Sequence, residues 1–354
     1  MRLGFDATSL TSTGKGIARF QREFLRAAAG DDLLAELDVF VPMQPDEETL
    51  PTRDGWRYHR VATAPMLIWE QVRRPALARR LGLDVVLTLS ERAALWGPPE
   101  VVYVYEHPKH RTRRSREVGV PLRQRIVDVT TLALFTLARR RARAVIAASR
   151  STARDVGTDA VIYSGVGAEF TPGDGERTYF LHLASDDPRD NSEVVVDAYA
   201  MLGRDMPPLV VAGPIERRRP ALQARATRAG VAVDWRGFQR GEALVELYRG
   251  AIAYVDPSLY EGFGLQAVEA MACGTPVIAS NTTSLPEVVA DAGILVDPHD
   301  VAGFAHAIRR VAEDRELAAD LGRRAVVQAS RFTWPATVDQ ILTVCRAIGD
   351  GRDR

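Results

Sequence analysis

Short apolar runs alternate with stretches of helical periodicity along most of the chain. Arg2 to Ala7, Leu37 to Val41, Val85 to Leu89, Val101 to Tyr105 and Ala144 to Ala148 read as strands buried on both faces of a sheet. Among them, Ile17, Phe20, Phe24 and Leu25 share one helical face, and Trp69 to Leu81 and Leu122 to Arg143 read as further helices. Ser149-Arg150-Ser151 offers capping residues for another helix, and Val161 to Tyr163 reads as a strand. The alternation resumes with Tyr179 to Leu183, Leu209 to Ala212, Val231 to Trp235, Ala251 to Val255 and Val277 to Ala279. The intervening helices are marked by Val194, Val195, Ala198 and Tyr199, by Leu244, Leu247 and Tyr248, and by Leu265, Val268 and Met271. Tyr248 reads as core at this spacing. Strand and helix in turn predict an α/β chain with parallel sheets and right-handed crossovers.

A length of 354 residues suits two such domains. Phe170-Thr171-Pro172 followed by Gly173-Asp174-Gly175 reads as the linker, which places one domain at 1–172 and the other at 173–334. The charges balance at 46 against 46, so no overall field draws the chain to nucleic acid. Lys15 and Lys109 are the only lysines, and the arginines gather at His110 to Arg125 and at Arg139 to Arg143. Two readings of that basic, partly apolar segment stay open: peripheral contact with an anionic membrane surface, or a solvated face whose apolar side is core. Cys273 and Cys345 have no metal-binding or redox spacing, and His107 with His110 lacks a carboxylate or thiol to complete a metal site. The opening residues read as a strand, and no apolar run is long enough to cross a bilayer, so a cytoplasmic protein is expected, peripheral at the inner membrane face on the first of those readings.

One stretch concentrates the candidate chemistry. The strand ending at Val255 leads through Glu261-Gly262-Phe263-Gly264 into a helix that Gly274-Thr275-Pro276 stops. Such a turn presents unpaired backbone N–H groups and the positive end of a helix dipole, which suits a phosphate. One helix terminus contributes only ~0.3–1 kcal/mol, so further donors are required for a diphosphate. A carboxylate accepts from sugar hydroxyls, so Glu269 suits a ribose and Glu261 the group beyond the phosphate. The plainer alternative is a βαβ unit with glycine turns and solvated glutamates. A second strand, loop and helix, with Asp6 and Gly14-Lys15-Gly16, lacks the third glycine of a dinucleotide fingerprint.

The stretch from Ser258 to Asp297 resembles the nucleotide-binding signature of the retaining GT-B glycosyltransferases of family 4, which include sucrose synthase and bacterial mannosyltransferases. Glu261 and Glu269 match its two glutamates, which stand with seven residues between them. The resemblance extends to Asp6, Gly14, Gly16 and Arg19, to Ser164-Gly165-Val166-Gly167 with Phe170-Thr171-Pro172, and to Phe332-Thr333-Trp334. It implies two Rossmann-like domains facing a cleft, with a last helix at 335–350 returning to the first, acceptor-side domain. It implies transfer of a sugar from a nucleoside-diphosphate sugar to a glycan, lipid-linked or natural-product hydroxyl, with retained configuration and with no metal or other cofactor. Glu269 would hold the ribose. Glu261 and the amides of Gly262, Phe263, Gly264 and Leu265 would face the sugar and diphosphate, with Gly14 and Gly16 close by. Gly213 would frame the base.

Two places depart from the pattern. Tyr105-Glu106 stands where the family carries His-Asp, with His107 two places late. Ala184 and Asp190 stand where it carries Gly and the diphosphate-binding Lys, with Arg189 next door as the substitute cation. On this reading the catalytic set is Glu261, Arg189 and His107. The departures also support an alternative, a catalytically impaired glycosyltransferase-like scaffold or partner protein. A nucleotide-sugar epimerase on the same fold would require acid/base residues that the sequence does not reveal.

Overall fold

The computed structural model describes residues 1–10, 16–30, 34–45, 50–89, 92–110, 122–203 and 205–351. Its contacts divide the chain into one unit of Met1–Gly165 with Trp334–Arg354 and a second of Val166–Thr333. The sequence places the boundary a few residues later, near Pro172.

The first unit runs β1 (Leu3–Asp6), α1 (Gly16–Ala29), β2 (Leu37–Pro42), β3 (Trp56–Val61) and then α2 in three consecutive pieces, Met66–Ile68, a π turn at Trp69–Arg73, and Arg74–Arg80. It continues with β4 (Val85–Thr88), β5 (Glu100–Val104), α3 (Leu122–Arg139), β6 (Ala144–Ala147) and α4 (Arg150–Val156). The strands form one sheet in the order β3-β2-β1-β4-β5-β6, with every pair parallel. Ser149 caps α4 by accepting from the Thr152 amide, and Gly157 ends it at φ 72°.

Three local readings change. Val161 makes a single bridge to Ala147 and no strand. The helix from Leu122 stops at Arg139, because the Arg143 amide already donates to the Glu100 carbonyl beside β5. β3 was not foreseen, since Arg57, His59 and Arg60 break its apolar run; it is an edge strand with one side open to water.

The second unit runs β7 (Tyr179–Leu183), α5 (Ser192–Ala200), β8 (Leu209–Ala212), α6 (Arg219–Ala229), β9 (Val233–Arg236), α7 (Glu242–Arg249), β10 (Ala251–Asp256) and α8 (Leu265–Ala272). It ends with β11 (Val277–Ser280), α9 (Leu285–Val289), β12 (Gly293–Val296), α10 (Val301–Glu313) and α11 (Arg315–Ala329). Its parallel sheet has the order β12-β11-β10-β7-β8-β9. Counted from each unit's first strand, both sheets are the doubly wound 3-2-1-4-5-6. Phe180, Val195, Leu209, Val255, Ile278, Phe304 and Ile308 fill one face of the second sheet, where strand and helix periodicities meet.

The chain returns to the first unit through α12 (Trp334–Gly349), which packs on α1 and β4. Trp334 meets Phe20 edge-on at 5.0 Å, and Thr337 donates to the Tyr163 carbonyl at 2.7 Å.

Candidate active site

In an open doubly wound sheet, neighbouring strands whose crossovers leave in opposite directions open a crevice at their carboxyl ends. In the second unit those strands are β7 and β10. The loop after β7 carries Asp187, Arg189, Asp190 and Asn191; the loop after β10 carries Ser258 to Gly264. Asn191 ties them together: its side-chain amide donates to the Pro257 carbonyl at 3.0 Å and the Pro298 carbonyl at 2.8 Å, while its φ of 56° turns the chain into α5. Asn tolerates that left-handed conformation better than most residues. The Leu259 amide donates to the Arg189 carbonyl at 2.8 Å, a second tie.

Glu261 lies in the loop after β10, on that edge of the sheet. Its amide donates to Thr283 Oγ1 at 3.0 Å, and its carbonyl accepts from Ser284 Oγ at 2.9 Å, so the loop after β11 fixes its backbone. Ser258 Oγ lies 2.5 Å from Asp256 Oδ1 and 3.3 Å from Glu261 Oε1. Gly264 opens α8 at φ 92°, and a Cβ there would meet Leu285 Cδ2 at 2.9 Å. The first amides of α8 have no carbonyl partner inside the helix and point out of its N-terminus. Gly262 to Leu265 therefore occupy a turn suited to an anion. The Phe263 side chain points inward against Phe332, ring centroids 5.6 Å apart, so only its backbone faces the crevice.

The expected cation is at this edge but already engaged. Arg189 pairs with Asp187 at 2.9 Å and lies 5.7 Å over the Tyr260 ring. Asp190, at the usual lysine position, accepts from the Ser185 amide. Asp190, Asp256 and Glu261 then crowd one another. Burial, and then the neighbouring carboxylates, raise the pKa of Glu261 well above the ordinary value, with Arg189 acting in the opposite direction. Burial raises Asp190 and Asp256 as well. His182 lies beneath, with Nδ1 at 2.9 Å from the Val255 carbonyl and Nε2 at 2.9 Å from Ser192 Oγ. The carbonyl accepts only, so Nδ1 carries the hydrogen. Burial lowers the pKa of this ring and keeps it neutral.

Glu269 lies one turn further along α8. Its carboxylate is 0% exposed and accepts from the Tyr248 hydroxyl at 3.0 Å, inside the packing of α7 and α8. Tyr248 is fully buried, as its helical spacing foretold. Gly213 follows β8 at φ 121°, and a Cβ there would stand 2.1 Å from the Ala184 carbonyl oxygen. That contact requires glycine whatever else the residue does.

In the first unit, Gly14 lies outside the described residues, and Gly16 begins α1 with open space where a Cβ would stand. Asp6 turns inward, accepting from Trp69, Arg74 and Thr8. Tyr105, at the family's His position, is bonded inward to Ser164 and packs on Phe20. His107 meets Phe135 edge-on at 4.8 Å, and its Nδ1 accepts from the Lys109 amide at 3.0 Å. Burial, then Lys109, lower its pKa to about 4. His110 and Lys109 share Asp155 of α4, a carboxylate too distant in sequence for spacing to reveal.

With this geometry in place, likeness to known proteins sharpens the picture. The family model for glycosyl transferases group 1 matches residues 169–327, nearly the whole of the second unit. The sucrose-phosphate synthase of Thermosynechococcus elongatus is 21% identical and superposes with a TM-score of 0.79 over 98% of this chain and 99% of that one. The fold is GT-B. The HepE protein of Anabaena, solved with UDP, is a further structural neighbour at 19% identity and a TM-score of 0.72, over 98% of this chain and 99% of that one. The O-antigen chain mannosyltransferase B of Escherichia coli is 37% identical over 179 residues, which are 48% of this chain and 46% of that protein. The chain thus spans about half the length of this curated relative. Sequence reasoning had not found Asp256, Ser258, Thr283, Ser284 or the tie made by Asn191. Asx and hydroxyl contacts across three loops leave no period in a sequence; only the strand ends before them were readable.

Proposed function

We propose that the chain is a retaining glycosyltransferase of family 4 that moves a hexosyl group from a nucleoside-diphosphate sugar to an acceptor hydroxyl without a metal ion. The observation that carries this reading is the meeting of Glu261, Arg189 and the α8 N-terminus at the β7/β10 crevice, within the segment that matches glycosyl transferases group 1. As the glycosidic bond breaks, charge grows on the diphosphate. The amides of Gly262 to Leu265 and the Arg189 guanidinium, shared with Asp187, stabilise it. Glu261, surrounded by Asp190 and Asp256 and held beside Ser258, keeps a proton more readily than an ordinary carboxyl. A neutral Glu261 tolerates the diphosphate and hydrogen-bonds a sugar hydroxyl. The acceptor oxygen bonds to the anomeric carbon on the face the diphosphate leaves, and its proton passes to a phosphate oxygen. Glu261 is therefore no nucleophile. His107 is neutral above about pH 4 and with Nδ1 occupied offers an Nε2–H donor; we assign it, with Gly14 and Gly16, to the substrate side of the first unit. Glu269 is assigned to the ribose side through the α8 backbone it anchors.

The test is calorimetric titration with GDP, UDP, dTDP and ADP, each with and without a chelator, followed by nucleotide release from the matching hexose donor. One nucleotide that binds regardless of chelator and whose donor is consumed supports the reading; binding that vanishes with chelator removes its metal-free part. If no nucleotide binds, the reading is wrong. A second reading, a scaffold that binds nucleotide without turnover, is favoured by Asp190, a carboxylate where a diphosphate-binding cation is usual. Binding without donor consumption would establish it.

A further inference from the structure

Helix α3 is packed inside out. Leu122, Ile126, Val129, Ala133 and Leu137 fall within about 80° of arc at 100° per residue, a stripe of the spacing that normally faces a core. In the structure this stripe faces water: Leu122 is 72% exposed, Ile126 56%, Val129 48% and Leu137 50%, and Ala133 is exposed too. The opposite side of the helix is buried, and it holds Asp128 and Thr131 beside Phe135. Thr131 accepts from Arg92 at 3.3 Å, which gives that polar side a partner inside the unit. Scattered exposed apolar residues need no explanation, but a continuous stripe opposite a buried polar side does.

The charges around the stripe choose its occupant. Arg125 is exposed within the helix, and Arg140, Arg141 and Arg143 are exposed just past its end. The only acidic residue of the helix, Asp128, is on the buried side. A second copy of the chain would bring arginine against arginine, and a zwitterionic surface would leave them unmatched. Among the described residues no helix is long and apolar enough to cross a membrane, so the stripe lies on a surface rather than through it. We propose that α3 docks this protein on an anionic lipid bilayer, with Leu122, Ile126, Val129 and Leu137 in the acyl boundary and the arginines at the headgroups. This goes beyond the sugar-transfer reading and does not depend on it.

Flotation of the full chain with vesicles of phosphatidylcholine, alone or mixed with phosphatidylglycerol, tests this. Partition should favour the anionic vesicles at least roughly ten-fold and weaken at high salt, as neutralising one arginine is worth roughly five-fold. Ile126→Asp should lower it by roughly ten-fold or more while leaving the melting temperature unchanged, since the side chain already faces water. Val327→Asp, on another exposed apolar residue, should leave it intact. No preference for anionic vesicles overturns the proposal, as does equal loss in both variants. So does a concentration-dependent dimer that Ile126→Asp dissolves, which would assign the stripe to a second copy.

Discussion

Asp190 and Gly213 show how much one side chain settles at the candidate site. Asp190 is largely buried and accepts from the Ser185 amide beside two further carboxylates. Its raised pKa means that the folded chain holds a proton the unfolded chain has already released. Its contribution to stability is therefore present at low pH and lost as pH rises from 3.8 through the raised value. Asp190→Asn keeps an acceptor for Ser185 and removes the titration. Its stability advantage over the wild type should grow with pH across that window, read by urea unfolding at several pH values; a pH-independent difference refutes this. Asp190→Lys supplies the missing cation and should tighten nucleotide diphosphate binding by roughly ten-fold or more. Equal affinity in calorimetry would mean that Arg189 already suffices. At Gly213 the requirement is steric. A Cβ 2.1 Å from the Ala184 oxygen, at φ 121°, cannot be accommodated without parting the ends of β7 and β8. Gly213→Ala should cost roughly 3 kcal/mol or more, seen as a fall in the midpoint of thermal unfolding. From the sequence alone Gly213 was readable only as a ligand-side glycine, because a carbonyl of another strand end decides its role.

Among the elements, α2 carries the least legible feature. Its hydrophobic spacing gives a helix but not the π turn at Trp69–Arg73, closed by the Arg74 amide on the Trp69 carbonyl. Residues five apart in an α-helix point about 140° away from each other; the wider i→i+5 turn brings Trp69 and Arg74 to one side. Both then donate to the same Asp6 oxygen, at 3.3 and 2.7 Å. Arg74 also reaches Glu100 at 3.1 Å and Thr88 at 3.2 Å, so one fully buried guanidinium joins the ends of β1 and β4 to β5. The partners come from three distant segments, and an arginine in a helix reads as surface until the fold encloses it. Arg74→Met would leave two buried carboxylates without their cation and should destabilise by about 3–5 kcal/mol. The triple variant Arg74→Met, Asp6→Asn, Glu100→Gln should recover part of that loss, since the uncompensated charges are gone. Additive costs in urea unfolding would mean that the three side chains do not act as one network. The strands, by contrast, were legible where they are buried on both faces, as in β1, β4, β5 and β10, and illegible in β3, where Arg57 and His59 pair with Asp38 at a sheet edge.

For the whole molecule, the two units share one strand order, yet their sites were unequally legible. In the second unit the turn from Glu261 to Gly264 is local to one strand, one turn and one helix, so spacing alone exposes it. In the first, of the residues that resemble the family, Asp6 is spent on a buried network, Gly14 lies outside the described residues and Gly16 only opens α1, while Tyr105 faces Ser164. Ligand binding should be unequal in the same way. A nucleotide adds stability only to those openings of the chain that destroy its site, by ~2.7 kcal/mol at 100 times its dissociation constant. Under hydrogen exchange, a saturating nucleotide diphosphate should therefore slow the amides of the loop after β7, the loop after β10 and the first turn of α8 by up to roughly a hundred-fold. Amides of β2 and β3, on the far edge of the first unit's sheet, should exchange as before unless the two units open only together. Protection spread evenly over both units would show that they unfold as one body. Protection absent from Gly262 to Leu265 would remove the α8 N-terminus from the donor site, and with it the main support for metal-free sugar transfer.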